Sequence, residues 1–217
     1  MVTGLAGTLN DWLRKVPVWP LYALAPVPPA WFLWLGLTGG LGAEPINALE
    51  RELGLLALQV LVASLAVTPL RRHLGVNLIR YRRAMGLIGF FYVALHLLVW
   101  AALDVQSLER IWADVVRRPY ITVGMVGFLL LVPLALTSTD AMVRKLGALR
   151  WRQLHRLAYP AILLGGVHNV MVAKVWEIDR LAWLAAIVVL LALRLRLPDR
   201  ARQSRGSVAP RQPDQKP

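Results

Sequence analysis

Four histidines, His73, His96, His155 and His168, carry the only side chains in this sequence suited to binding a transition metal through nitrogen, and there is no cysteine. His96 lies midway along one long apolar run, His155 opens another, and His168 follows it by thirteen residues. An ionisable side chain in hydrocarbon persists only against a partner such as another side chain, trapped water or a metal. Neutral imidazole binds iron well, and one histidine from each of two neighbouring helices fills both axial positions of a haem. The lack of cysteine removes disulfides, thiolate nucleophiles and cysteine-held iron–sulfur clusters together. Redox chemistry in this chain therefore needs a cofactor.

The elements that must position these residues are membrane spans. The chain is 57% hydrophobic with mean hydropathy +0.53 over 217 residues, too apolar for an ordinary soluble domain. Apolar runs cover residues 18–38, 53–70, 84–104, 120–138, 154–173 and 181–193. Most approach the ~20 residues that cross a hydrocarbon core as helix. The fold expected is all-α, a six-helix transmembrane bundle over residues 18–197. A cytoplasmic N-terminus, 1–17, precedes it and a disordered basic tail, 198–217, follows. The first run holds Pro20, Pro26, Pro28 and Pro29, which predict a kink or break near its middle. Its length and prolines favour an uncleaved anchor over a signal peptide.

Charge sets the orientation. Of the 25 Lys and Arg residues, 19 fall before the first run, in the loops around 71–83 and 139–156, and after the last run. The positive-inside rule then puts both termini and the two arginine-rich loops in the cytoplasm of a bacterial inner-membrane protein. The net charge of +13 comes in blocks between apolar runs, which points to topology and anionic lipid head groups and away from nucleic acid. Trp12, Trp19 and Trp151 fall near the inner surface, and Trp100, Trp112, Trp176 and Trp183 near the outer, as an aromatic belt would.

In this frame the third and fifth runs are parallel. His96 lies 12 residues from Ala84 and His168 lies 14 from Leu154; at 1.5 Å per residue the depths are roughly 18 and 21 Å. One such histidine alone reads as a helix-to-helix hydrogen bond. Two at matched depth read as the axial ligands of a haem between the third and fifth helices, with nearby glycines letting helices or a flat ring approach. His155 lies about 20 Å below His168 and, on an ideal helix, about 140° around from it. It is open between a second haem, a flavin, a quinone and a haem propionate. The position on the third run matching it is Arg82, which does not ligate iron. Arg71, Arg72, Arg80, Arg82 and Arg83 suit propionates, a flavin phosphate or lipid, and topology explains them equally well. His73 reads as a solvated loop residue. Acidic residues of the outer loops, including Glu50, Asp104, Glu109 and Glu177, are open between partner docking and simple solvation. A rival reading is a transporter whose histidines relay protons or bind a metal, but the runs lack mid-depth carboxylates and show no inverted repeat.

The order of GGLGAEP at 39–45, TPLRR at 68–72, Arg82-Arg83 before a glycine-rich run with His96, RPY at 118–120, TST at 137–139 and WRQLH at 151–155 resembles the MsrQ (YedZ) proteins. Those belong to the ferric-reductase-like transmembrane superfamily, and the resemblance spans about residues 26–196. It implies a b-type haem subunit of the inner membrane, with one haem or two and FMN as a further cofactor. Such a subunit takes electrons from the quinone pool and passes them to MsrP, a periplasmic molybdopterin enzyme that reduces methionine sulfoxide in proteins. His96, His155 and His168 occupy the family's histidine positions, while Arg82 stands where the related oxidases have histidine. The flavin and NADPH domains of those oxidases are not expected after the last run.

Overall fold

A computed structural model describes residues 2–173 and 175–194, and among these every regular element is helical. Lys174, the end of the predicted bundle at 195–197 and the predicted tail 198–217 lie outside the described residues.

The chain opens with α1 (Val2–Lys15), whose last turn carries Arg14 and Lys15 against the negative end of the helix dipole. Its final carbonyls are taken by the loop before the third run. The Tyr81 hydroxyl reaches the Leu13 and Val16 oxygens at 2.8 Å each, and Arg80 donates to Arg14 O at 2.7 Å. The first apolar run is split into α2 (Trp19–Leu24) and α3 (Val27–Leu37), as its prolines predict. Pro29 has no N–H to give the Ala25 carbonyl four residues back. The Tyr92 hydroxyl donates to that oxygen instead, at 2.8 Å in a buried setting.

Next comes α4 (Pro45–Pro69), which starts well before the predicted run at 53 and so brings Glu50, Arg51 and Glu52 into the helix. Proline acts here in the same way. Pro69 leaves the Leu65 carbonyl without its helical donor, and the Arg194 guanidinium, from the far end of the chain, supplies the hydrogen bonds. After a π turn over Leu70–Leu74 and a 3₁₀ turn over Ile79–Tyr81 comes α5 (Arg82–Val99), continued by a π turn over Trp100–Val105. Two helices follow, α6 (Leu108–Arg117) and α7 (Pro119–Leu136). The short pair α8 (Asp140–Leu146) and α9 (Ala148–Leu154) precedes α10 (Ala158–Val172) and α11 (Ile178–Ala192).

Among the described residues, three helical stretches are long and apolar enough to cross a membrane: Pro45–Leu74, Ile79–Val105 and Pro119–Leu136. The other predicted runs are helical but shorter. The start of the fifth differs from expectation, because His155–Leu157 forms a 3₁₀ turn between α9 and α10. Pro160 has no N–H for the Arg156 carbonyl, so an α-helix restarted at Ala158 accommodates it in the first turn. The 140° angle for a continuous helix therefore does not apply to His155 and His168.

Helix α4 is the hub. It packs along α5 and touches α3, α10 and α11, while α7 packs along α10. Leu58, Leu61, Val62 and Leu65 of α4 meet Leu131 and Leu134 of α7, Ala161 and Ile162 of α10, and Ile187 of α11 in one buried cluster. Burying one such side chain fully is worth about 1.5–3 kcal/mol when the comparison is with water; in lipid, close packing carries more of the contact. Trp100 departs from the expected aromatic belt, since it is buried in this packing, whereas Trp12, Trp19, Trp112 and Trp176 are exposed.

Candidate cofactor site

Against the apolar cluster, sharing Leu58, Leu61, Leu131 and Ala161 with it, α4, α5, α7, α10 and α11 line an open cavity of about 610 Å³, within the ~300–1,000 Å³ of typical cofactor pockets. His96 of α5 and His168 of α10 both line it. Their ring centroids are 6.2 Å apart and the ring planes lie at 73°. The expected pairing of depths thus becomes a physical pairing of side chains.

Each ring is held by its Nδ1. His96 Nδ1 lies 2.9 Å from the Glu50 carbonyl on α4, and His168 Nδ1 lies 2.8 Å from the Tyr120 carbonyl on α7. A carbonyl oxygen only accepts, so both Nδ1 atoms carry the proton and both Nε2 atoms keep a bare lone pair. This is the tautomer that metal-ligating histidines need, oriented by the outer hydrogen bond. Both carbonyls have a glycine four residues further along the helix, Gly54 after Glu50 and Gly124 after Tyr120. A Cβ at Gly54 would lie 3.0 Å from His96 Nδ1, and one at Gly124 would lie 2.8 Å from His168 Nδ1. Each imidazole reaches its helix carbonyl because the glycine leaves the space.

The donor set can be tested against a haem. Two imidazoles bound on opposite sides of one metal at about 2 Å have ring centroids about 6.3 Å apart, which matches the 6.2 Å observed. The angle between the rings is unrestricted in such an arrangement, since each plane need only contain the common axis. Among the described residues no group of three or more His, Asp or Glu side chains could hold a bare metal ion. Two imidazoles suit a metal that brings its other ligands with it, and the residues fit a haem.

His155 and Arg82 do not line this cavity. His155 stacks on Trp151 with centroids 3.8 Å apart, its Nδ1 donates to the Trp151 carbonyl at 3.0 Å, and its Nε2 lies 3.3 Å from Ser138 Oγ. Arg82 is a neighbour of His155 and of Tyr159, whose hydroxyl accepts from Arg194 at 3.1 Å. His73 is exposed in the turn after α4.

Sequence reasoning did not mark Gly54, Asn169 or the two carbonyl anchors. Backbone carbonyls leave no trace in residue type. A glycine inside an apolar helix and an asparagine next to an intramembrane histidine were the available signals.

Residues 52–166 match the family model described as ferric reductase like transmembrane component, which defines the class. Curated relatives narrow it. The chain is 44% identical over 182 residues to the protein-methionine-sulfoxide reductase heme-binding subunit MsrQ of Brucella anthropi, covering 83% of this chain and 82% of the relative. It is 46% identical to the proteins of the same name from Brucella ovis and Brucella suis, with the same coverage. Within the ferric-reductase-like class, the chain belongs to the MsrQ family.

Proposed function

We propose that this chain is the b-type haem, electron-transfer subunit of a methionine sulfoxide reductase system, with His96 and His168 as axial ligands. The observation that carries the reading is the imidazole pair, spaced for one iron with both Nε2 lone pairs bare. A haem with both axial positions filled supplies one-electron transfer and has no open position for a substrate. The chain itself has no thiol, so sulfoxide chemistry belongs to a partner. Electrons enter from the quinone pool, with FMN as a further carrier, and leave to the periplasmic molybdopterin enzyme MsrP. His155 and Arg82, away from the cavity, serve the entry end, through a second haem or by holding a flavin or quinone.

The chain sits in the bacterial inner membrane as six crossings with both termini cytoplasmic. The distribution of basic residues supports that frame. Reporter fusions after Glu44 and Glu109 should read periplasmic and one after Leu146 cytoplasmic. The decisive test is optical: purified protein with and without dithionite should show the bands of a six-coordinate b-type haem, and protein without haem bands would end the reading.

A further inference from the structure

Asn169 follows His168 on α10 and lines the same cavity. Its Nδ2 is buried and, among the described residues, is the one buried side-chain polar atom without a hydrogen-bond partner. A buried N–H donor left in that state is costly, so such groups in native proteins have an acceptor. Arg180 of α11 stands beside it. Arg180 Nη1 donates to the Asn169 carbonyl at 2.9 Å, and Nε is paired with the Glu177 carboxylate at 2.5 Å. Those bonds use two of the five guanidinium N–H groups. The side chain is 22% exposed and also lines the cavity.

We infer that Asn169 and Arg180 form a carboxylate clamp on the rim of the cavity, taking a propionate of the tetrapyrrole held by His96 and His168. The inference rests on the haem reading above. An amide N–H and spare guanidinium N–H groups together match an acceptor with several lone pairs and a negative charge, and such charge-assisted bonds are the strong ones. The other rim cations are less suited. Both are more exposed than Arg180: Arg118 is 54% exposed, and Arg51 is exposed. The Glu177 carboxylate is already matched to Arg180. The clamp would hold the propionate carboxylate where α10 and α11 meet, at Asn169 and Arg180.

The test compares haem with its dimethyl ester, which has the same ring and iron and no free carboxylate. Full-length protein stripped of cofactor is titrated with each in detergent, reading the six-coordinate spectrum. The wild-type chain should bind haem about tenfold more tightly than the ester, the effect of one or two charge-assisted bonds. Asn169→Leu should largely erase that preference, and Asn169→Asp, which sets a carboxylate against a carboxylate, should reverse it. A merely structural role for Asn169 would weaken both ligands alike. If the wild-type chain, Asn169→Leu and Asn169→Asp all treat the two ligands equally, the clamp is wrong while the histidine pair stands. If Asn169→Leu keeps the full wild-type preference, the clamp is likewise overturned. If neither ligand gives a six-coordinate spectrum in the wild-type chain, the haem reading fails and the clamp falls with it.

Discussion

The paired histidines and His155 are built by opposite rules. His96 and His168 are each anchored by a carbonyl of a different helix, on α4 and α7, across 46 and 48 residues of chain. His155 takes its Nδ1 acceptor and its stacking partner from Trp151, four residues back, and its Nε2 lies against Ser138. The pair is therefore a product of tertiary packing, with the Nε2 atoms left bare. His155 is a product of a local turn, with both ring nitrogens near polar neighbours. A ring held between two helices keeps its geometry against side-chain entropy; a ring oriented by its own turn moves with that turn.

The largest expected effect breaks the pair itself. His96→Ala or His168→Ala should each abolish the six-coordinate spectrum and lower haem content more than about tenfold, because a ligand matters at least as much as its outer hydrogen-bond partner. Wild-type spectra in both variants would show that the pairing is not ligation. Next come the glycines behind the rings. In an ordinary helix Gly→Ala stabilises by about 0.5–1 kcal/mol, and Gly86→Ala, which meets nothing within 4 Å, should do so in a thermal melt. Gly54→Ala and Gly124→Ala should go the other way, weakening haem retention about tenfold by pushing the ring off its carbonyl. If all three variants behave alike, the spaces at Gly54 and Gly124 are not what seats the rings.

A smaller effect is expected at the other end. His155→Ala should leave the spectrum of the paired-histidine haem intact while slowing its reduction in stopped flow, with a stability loss of about 1 kcal/mol from the Trp151 stack. Loss of the outer spectrum in this variant would mean that the two regions are not independent. The smallest effect concerns the Arg83–Asp140 pair, 2.6 Å apart, which joins the first turns of α5 and α8 with Asp140 exposed. Arg83 holds the Asp140 carboxyl below its ordinary value of 3.8. Its contribution is thus present above that ordinary value and is lost as pH falls through the lowered folded value. Asp140→Asn should alter the acid edge of unfolding only, with the melt at neutral pH nearly unchanged because the pair is solvent-screened.

Much of this was legible in the residues. The long hydropathic runs predicted the three stretches that became Pro45–Leu74, Ile79–Val105 and Pro119–Leu136, and the prolines predicted the break between α2 and α3. Counting 1.5 Å per residue puts His96 and His168 close in height, and the structure brings the two rings together. The count between His155 and His168 assumes a continuous helix, which the 3₁₀ turn ahead of Pro160 interrupts. Glu50 was assigned to an outer loop because charge ended the apolar run at 53, although the helix continues to Pro45. Its contribution is a main-chain oxygen, which no residue type announces. The short helices α6, α8 and α9 carry no run of apolar residues, so hydropathy does not set them apart from connections.

The bond from Tyr92 to the Ala25 carbonyl has a consequence in time. The acceptor is exposed by Pro29 as soon as the first run is synthesised, yet its donor lies 67 residues further along the chain. At translation rates of about 5–20 residues per second, that interval is roughly 3–13 s. A carbonyl left unpaired away from water is costly throughout it. The α2–α3 segment should therefore stay near water or the insertion machinery until α5 arrives, settling late although it is made before α4 and α5.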